Sequence, residues 1–148
     1  YPIIKLDGSG FGPNHDIAAF LRKFEKVVID WLDELGRASG RFRGQSREDA
    51  TGVWIEPLGP NAGEAKKIAS MGIAVRKWVT YHGLAINCVN DLKAFQLISP
   101  CGFSPEVMTR LSDWLAPDSS EAACLADWDR RGRAWVEREL SSRMQGGA

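Results

Sequence analysis

The chain has 148 residues, one domain by length and enough to bury about 68–70% of the surface that its unfolded form exposes. Lys and Arg number 19 and Asp and Glu number 19, so the formal charge is zero, and there is no basic field of the kind that nucleic acid or an anionic membrane selects. With 44% hydrophobic and 26% charged residues, and no apolar run near the ~18–20 residues that span a bilayer, the expectation is a globular domain that is neither membrane-embedded nor disordered.

The first six residues, with Pro2 near the start where a missing amide is tolerated, read as a strand. The glycine-rich stretch 7–13 follows; its alternating Gly8, Gly10 and Gly12 before Pro13 do not fit a phosphate-binding loop, and it reads as a mobile turn. From Ile17 to Leu35 the apolar residues Phe20, Leu21, Phe24, Val27, Val28, Trp31 and Leu32 recur at spacings of three and four, the pattern of a helix with one buried face. Asn14 or Asp16 is its expected N-cap, and Gly36 its expected left-handed stop. The polar stretch 37–49, with Arg41, Arg43 and Arg47, reads as a solvated loop.

A β-branched and aromatic strand is expected over 51–55, closed by turn residues at 57–63. Further strands are expected over 65–69, 73–80 and 84–89, with turns at Gly72 and around His82. Asp91 caps a helical turn through Phe95. Ser104 with Pro105 begins another helix, and Ser119 or Ser120 begins a last one carrying Leu125, Trp128, Trp135 and Leu140. Residues 141–148 read as a flexible tail behind a single domain, 1–140. The fold class is α/β, in the α+β sense, with one antiparallel or mixed sheet and helices packed on it.

Few side chains offer chemistry. Cys88, Cys101 and Cys124 are an odd number without Cys-x-x-Cys spacing, which fits neither a disulfide framework nor a zinc site. A reducing, cytoplasmic compartment is expected, and the first residues carry no basic leader or cleavage site. Cys101, between Pro100 and Gly102 and just before the Ser104 helix start, sits where a helix N-terminus favours thiolate; the alternative is a buried structural cysteine. Cys88 and Cys124 read as packing. Of Lys66 and Lys67, strand alternation turns one inward, where it acts either as a base or as a snorkelling structural lysine. His82 reads equally as a turn residue or a base.

As a set, the segments are more specific. The runs Gly-Val-Trp-Ile from 52, Lys-Ile-Ala-Ser-Met-Gly from 67, Trp-Val-Thr-Tyr-His-Gly-Leu-Ala-Ile-Asn from 78 and Pro-Cys-Gly from 100 resemble, in order and spacing, the motif series of the lipoyl(octanoyl) transferases. Tyr1-Pro2-Ile3 and His15-Asp16 fit that family's segment ahead of its long helix, and the resemblance covers about residues 1 to 115.

The resemblance implies a biotin/lipoate protein ligase-like fold, a mixed sheet with packed helices. The implied activity is a cofactorless, metal-free acyl transfer from octanoyl-acyl carrier protein to a lysine of a lipoyl domain. It implies Cys101 as the acyl-accepting nucleophile and Lys67 as its acid/base partner, with Ser70, Met71, Gly72, His82, Gly83, Leu84 and Ala85 on substrate-binding segments. The implied acceptors are the lipoyl domains of 2-oxoacid dehydrogenases and the glycine cleavage H protein. The family's Arg-Gly-Gly and His-Gly-Pro-Gly-Gln segment precedes its Tyr-Pro-Ile motif, and with no initiator Met at position 1 the expectation is an N-terminally truncated chain. Two alternatives are an ATP-dependent lipoate or biotin ligase and a non-catalytic carrier-docking module.

The chemistry agrees with the dyad. A thiol with pKa about 8.5 is only ~3% thiolate at pH 7; an ammonium ~4 Å away at an effective dielectric of ~20 contributes up to ~4 kcal/mol, about three pKa units. Glycines 72 and 83 are expected to let backbone amides approach a developing oxyanion.

Overall fold

The computed structural model describes residues 1–6, 15–60, 62–98, 102–115, 120–135 and 137–138. Cys101, Asn14, the 7–13 turn, Ser119, Leu140 and the 141–148 tail lie outside the described residues. Helix α1 (Ile17–Ser39) is followed by the strands β1 (Phe42–Gln45), β2 (Val53–Pro57), β3 (Lys66–Arg76) and β4 (Val79–Ile86), and by α2 (Glu121–Asp127) near the C-terminus. The four strands form one sheet in the order β1-β2-β3-β4, each antiparallel to its neighbour. The parallel component is a bridge between Lys67 and Met108.

The apolar stripe of α1 lies where its periodicity puts it. Val28, Trp31 and Leu32 pack with Phe42, Val53, Ile55, Ile68, Ala69 and Leu111. One turn nearer its start, Phe20, Phe24 and Val27 pack with Ile4 and Leu6. Asp16 is the N-cap, its carboxylate accepting from the Ala19 amide at 2.9 Å. The helix runs past Gly36 to Ser39 and stops at Gly40, whose φ of +67° is the left-handed stop. Gly36 serves another purpose: a Cβ there would overlap the Phe42 carbonyl, so its small size lets α1 lie against β1.

Several expected boundaries are corrected. Part of the 37–49 loop is β1, whose alternate residues Phe42 and Gly44 are buried while Arg43 faces out and pairs with Glu56. Gly72 is not a turn, because β3 runs through it for 11 residues. The turn is at Lys77 and Trp78, with φ of +51° and +61°, the geometry of a two-residue hairpin turn. Neither residue announces that conformation. Tertiary contacts hold it: the Trp78 carbonyl accepts from Leu6 N at 2.7 Å, and its ring lies 4.1 Å from that of His15. His82 likewise is not in a turn; it is an exposed residue within β4, at φ +67°.

Residues 1–6 form no strand of their own and bond to β4 around the Lys5–Val79 bridge, where the Thr80 amide donates to Ile4 O and Thr80 Oγ1 accepts from Ile4 N. The helix expected at Ser104-Pro105 is a 3₁₀ turn, Pro105–Val107, and Ser104 makes no side-chain cap. Asp91 does cap Leu92–Leu97, also 3₁₀. In the C-terminal region Ser120 Oγ accepts from Ala123 N at 3.1 Å. Trp128 and Trp135 pack on the core, whereas Leu125 is exposed. Cys88 is buried among core residues, as packing requires. No described helix is long and apolar enough to cross a membrane.

Candidate active site

Lys67 enters from β3 beside a register shift between Val53 and Trp54 of β2, where Val53 faces Ala69 and Trp54 faces Lys67. Its backbone is held on the other side as well, since Lys67 O accepts from Thr109 N at 2.9 Å and the residue bridges Met108. The side chain is fully buried. Nζ donates to the Thr51 carbonyl at 2.8 Å and lies 5.7 Å from the centroid of the Trp54 ring. A buried ammonium needs such partners, a carbonyl dipole and an aromatic face, to offset its lost hydration. Of the two adjacent lysines, Lys67 is the inward one. Lys66 is partly exposed and donates to Glu106 O at 2.7 Å.

Thr51 and Gly52 form the floor under Nζ. Gly52 has φ +128°, and a Cβ there would stand 2.8 Å from Lys67 Cε, 3.2 Å from Nζ and 2.5 Å from Ala69 O. Its amide donates at 2.7 Å to Glu25 Oε1, a buried carboxylate on α1. The other oxygen, Oε2, accepts from Arg22 at 2.7 Å.

The Phe103 ring meets Trp54 edge-on, with centroids 5.4 Å apart. Arg47 stacks over both rings, at 4.6 Å and 5.6 Å, and its guanidinium is itself held by the Asp49 carboxylate. Phe103 stands two residues after Cys101, so the segment leaving the cysteine is fastened to the tryptophan that also contacts Lys67. A cavity of about 560 Å³ opens beside it, lined by Arg47, Glu64, Lys66, Phe103, Ser104 and Glu106 among others.

The two expected substrate-binding segments meet in the sheet. Ser70 pairs with Ala85, Met71 with Leu84, Gly72 with Gly83, and Ile73 with His82. Met71 and Leu84 pack against the core, so alternation turns Ser70, Gly72, Gly83 and Ala85 to the opposite face. Gly72 and Ala85 are exposed and Ser70 is partly so, while Tyr1 and Pro2 cover Gly83. At ~3.3 Å per residue, Gly72 stands about 16 Å along β3 from Lys67.

The sequence reading did not single out Glu25, Thr51, Trp54 or Phe103. Glu25 carried a signal, since it lies four residues after Leu21 and three before Val28, inside the apolar stripe, where an unpaired carboxylate is not tolerated. Trp54 stood within the Gly-Val-Trp-Ile motif run without a role of its own, and Thr51 and Phe103 had no signal, because these roles come from contacts between elements.

The sequence profile of the lipoyl protein ligase A/B catalytic domain matches residues 1–125. Similar curated proteins include an octanoyltransferase of Rhizobium etli, 42% identical over 82% of this chain and 49% of its own length. An octanoyltransferase of Bdellovibrio bacteriovorus is 42% identical over 75% and 51%, and one of Syntrophobacter fumaroxidans is 40% identical over 95% and 56%. The chain spans about half the length of these relatives. The matched span settles the family: this chain belongs to the lipoyl protein ligase A/B catalytic domain family.

Proposed function

We propose that this protein transfers an octanoyl group from acyl carrier protein to a lysine of a lipoyl domain, through a thioester on Cys101. Lys67 is its acid/base partner. The observation that carries the reading is the full burial of Lys67, its Nζ 2.8 Å from Thr51 O, beside the Trp54 to which Phe103 ties the segment following Cys101. A fixed, water-excluded ammonium at that place supports thiolate on a neighbouring sulfur.

The Cys101 thiolate attacks the octanoyl thioester carbonyl, a C–S bond forms to Cys101, and the carrier thiolate leaves with the proton of Lys67. Thioester replaces thioester, so this exchange is nearly thermoneutral and needs no ATP. The acceptor amine then attacks the Cys101 thioester, its proton passes to Lys67, and Cys101 leaves as thiolate. Amide formation draws this half forward, and the dyad returns to its starting charges.

The strip of Ser70, Gly72 and Ala85 supports a place for the acyl chain on the sheet face away from α1. Burying about seven carbons contributes ~5–6 kcal/mol at ~0.8 each. With Gly72 about 16 Å along the strand from Lys67, this reading gives Gly72 the tail of the chain rather than its carbonyl oxygen, while its partner Gly83 lies under Tyr1 and Pro2. Met71, His82 and Leu84 flank the strip on the same strands. A cytoplasmic, reducing setting suits a nucleophilic thiol.

Intact mass after incubation with octanoyl-loaded carrier tests the reading. The expected result is an octanoyl adduct, absent in Cys101→Ala and discharged by a lipoyl domain of a 2-oxoacid dehydrogenase or by the glycine cleavage H protein. Formation of octanoyl-adenylate from octanoate and ATP would instead establish a ligase. Carrier binding with neither product would establish a docking module.

A further inference from the structure

We infer that Glu25 is a positioning residue for Lys67, acting through the backbone of Thr51 and Gly52; this rests on the proposed function and extends it to a carboxylate on α1. Glu25 comes from the middle of α1, and its side chain is 1% exposed. A carboxylate so buried costs several kcal/mol to desolvate unless each oxygen is bonded. Here Oε1 accepts from the Gly52 amide at 2.7 Å and Oε2 from Arg22 at 2.7 Å. Arg22 is half-exposed and also donates to the Arg47 carbonyl at 3.1 Å, so the carboxylate joins the helix to the loop leading into β2.

The consequence falls on Nζ. Gly52 has φ +128°, a conformation that costs energy for other residues and that a fixed amide donor holds in place. The same peptide unit carries the Thr51 carbonyl that accepts from Nζ. One amide plane therefore has the Glu25 carboxylate on its N–H and the Lys67 ammonium on its oxygen. The negative charge polarises that peptide toward a stronger acceptor for Nζ and fixes where the acceptor stands. Removing the carboxylate frees the carbonyl to turn, and the ammonium loses its fixed address beside Trp54.

The test is the pH profile of iodoacetamide alkylation at Cys101, followed by peptide mass, in the wild type and in Lys67→Ala, Glu25→Leu, Glu25→Asp and Glu25→Gln. Lys67→Ala should raise the midpoint. Glu25→Leu should raise it in the same direction by about half a pH unit or more, roughly threefold in rate on the acid side. Glu25→Gln, which keeps an oxygen for Gly52 N but loses the charge, should shift the midpoint less than Glu25→Leu. If Glu25→Leu does not fold, Glu25→Asp withdraws the acceptor by one methylene and should fall between. A shift in Lys67→Ala with wild-type profiles in folded Glu25→Leu or Glu25→Asp overturns this inference and leaves the dyad intact. A Lys67→Ala profile equal to the wild type overturns the dyad itself, and the inference with it.

Discussion

Lys67 Nζ stands 2.8 Å from the Thr51 carbonyl, and the next residue, Gly52, has no room for a side chain on that flank. Gly52→Ala meets two obstacles: φ +128°, and a Cβ 2.5 Å from Ala69 O and 2.8 Å from Lys67 Cε. The φ strain alone costs about 1–3 kcal/mol, and the overlap displaces the lysine. Urea denaturation should show that loss or more, and the Cys101 alkylation profile should move as in Lys67→Ala.

Gly72 and Gly83 are partners across β3 and β4 yet should respond oppositely to the same change. Nothing lies within 4 Å of a Cβ on Gly72, while one on Gly83 would stand 3.0 Å from Tyr1 Cα and Pro2 Cδ. Gly72→Ala should therefore keep or raise stability by about 0.5–1 kcal/mol, and as part of the proposed acyl face it should lower octanoyl transfer more than it alters fold. Gly83→Ala should dislodge the first residues from β4, read as faster amide exchange at residues 3–6. Transfer unaffected in Gly72→Ala would remove this face from the substrate path.

Phe103→Ala removes the edge-on contact with Trp54 at 5.4 Å and one of the two rings under Arg47. The aromatic contact is worth about 0.5–1.5 kcal/mol beyond the area lost. Hydrogen exchange should rise over 102–107, and Phe103→Leu, which keeps apolar volume, should recover the area but not the ring contact.

The Asp49 carboxyl is held below the usual carboxylate range by its hydrogen bonds with the Arg47 side chain, which outweigh the opposing effect of burial, and the charge of Arg47 adds a smaller lowering. A depressed folded value means that the pair's contribution is present above the unfolded carboxylate value and is lost as pH falls through the folded one. Arg47 then loses the partner that holds it over Trp54. Trp54 fluorescence should show a transition below the usual carboxylate range, abolished in Asp49→Asn.

Periodicity and chain-local chemistry determined much of this molecule. The α1 stripe, the Asp16 and Asp91 caps and the strand at Val53–Ile55 follow from rules that act within a few residues. The motif series, too, is legible in one dimension because it lists residue types in order. Tertiary structure decided the rest. Lys77 and Trp78 adopt a turn that their side chains do not favour, because Leu6 and His15 hold Trp78 from outside the hairpin. Gly72 reads as a stop and is a strand residue, because pairing with Gly83 outweighs its weak local preference. Strand alternation required one inward lysine, but only the Val53/Trp54 register shift and the Met108 bridge fix Lys67 as that residue. The link from Glu25 through Gly52 to Lys67 joins positions dozens of residues apart, and no local preference encodes a distance that only packing creates.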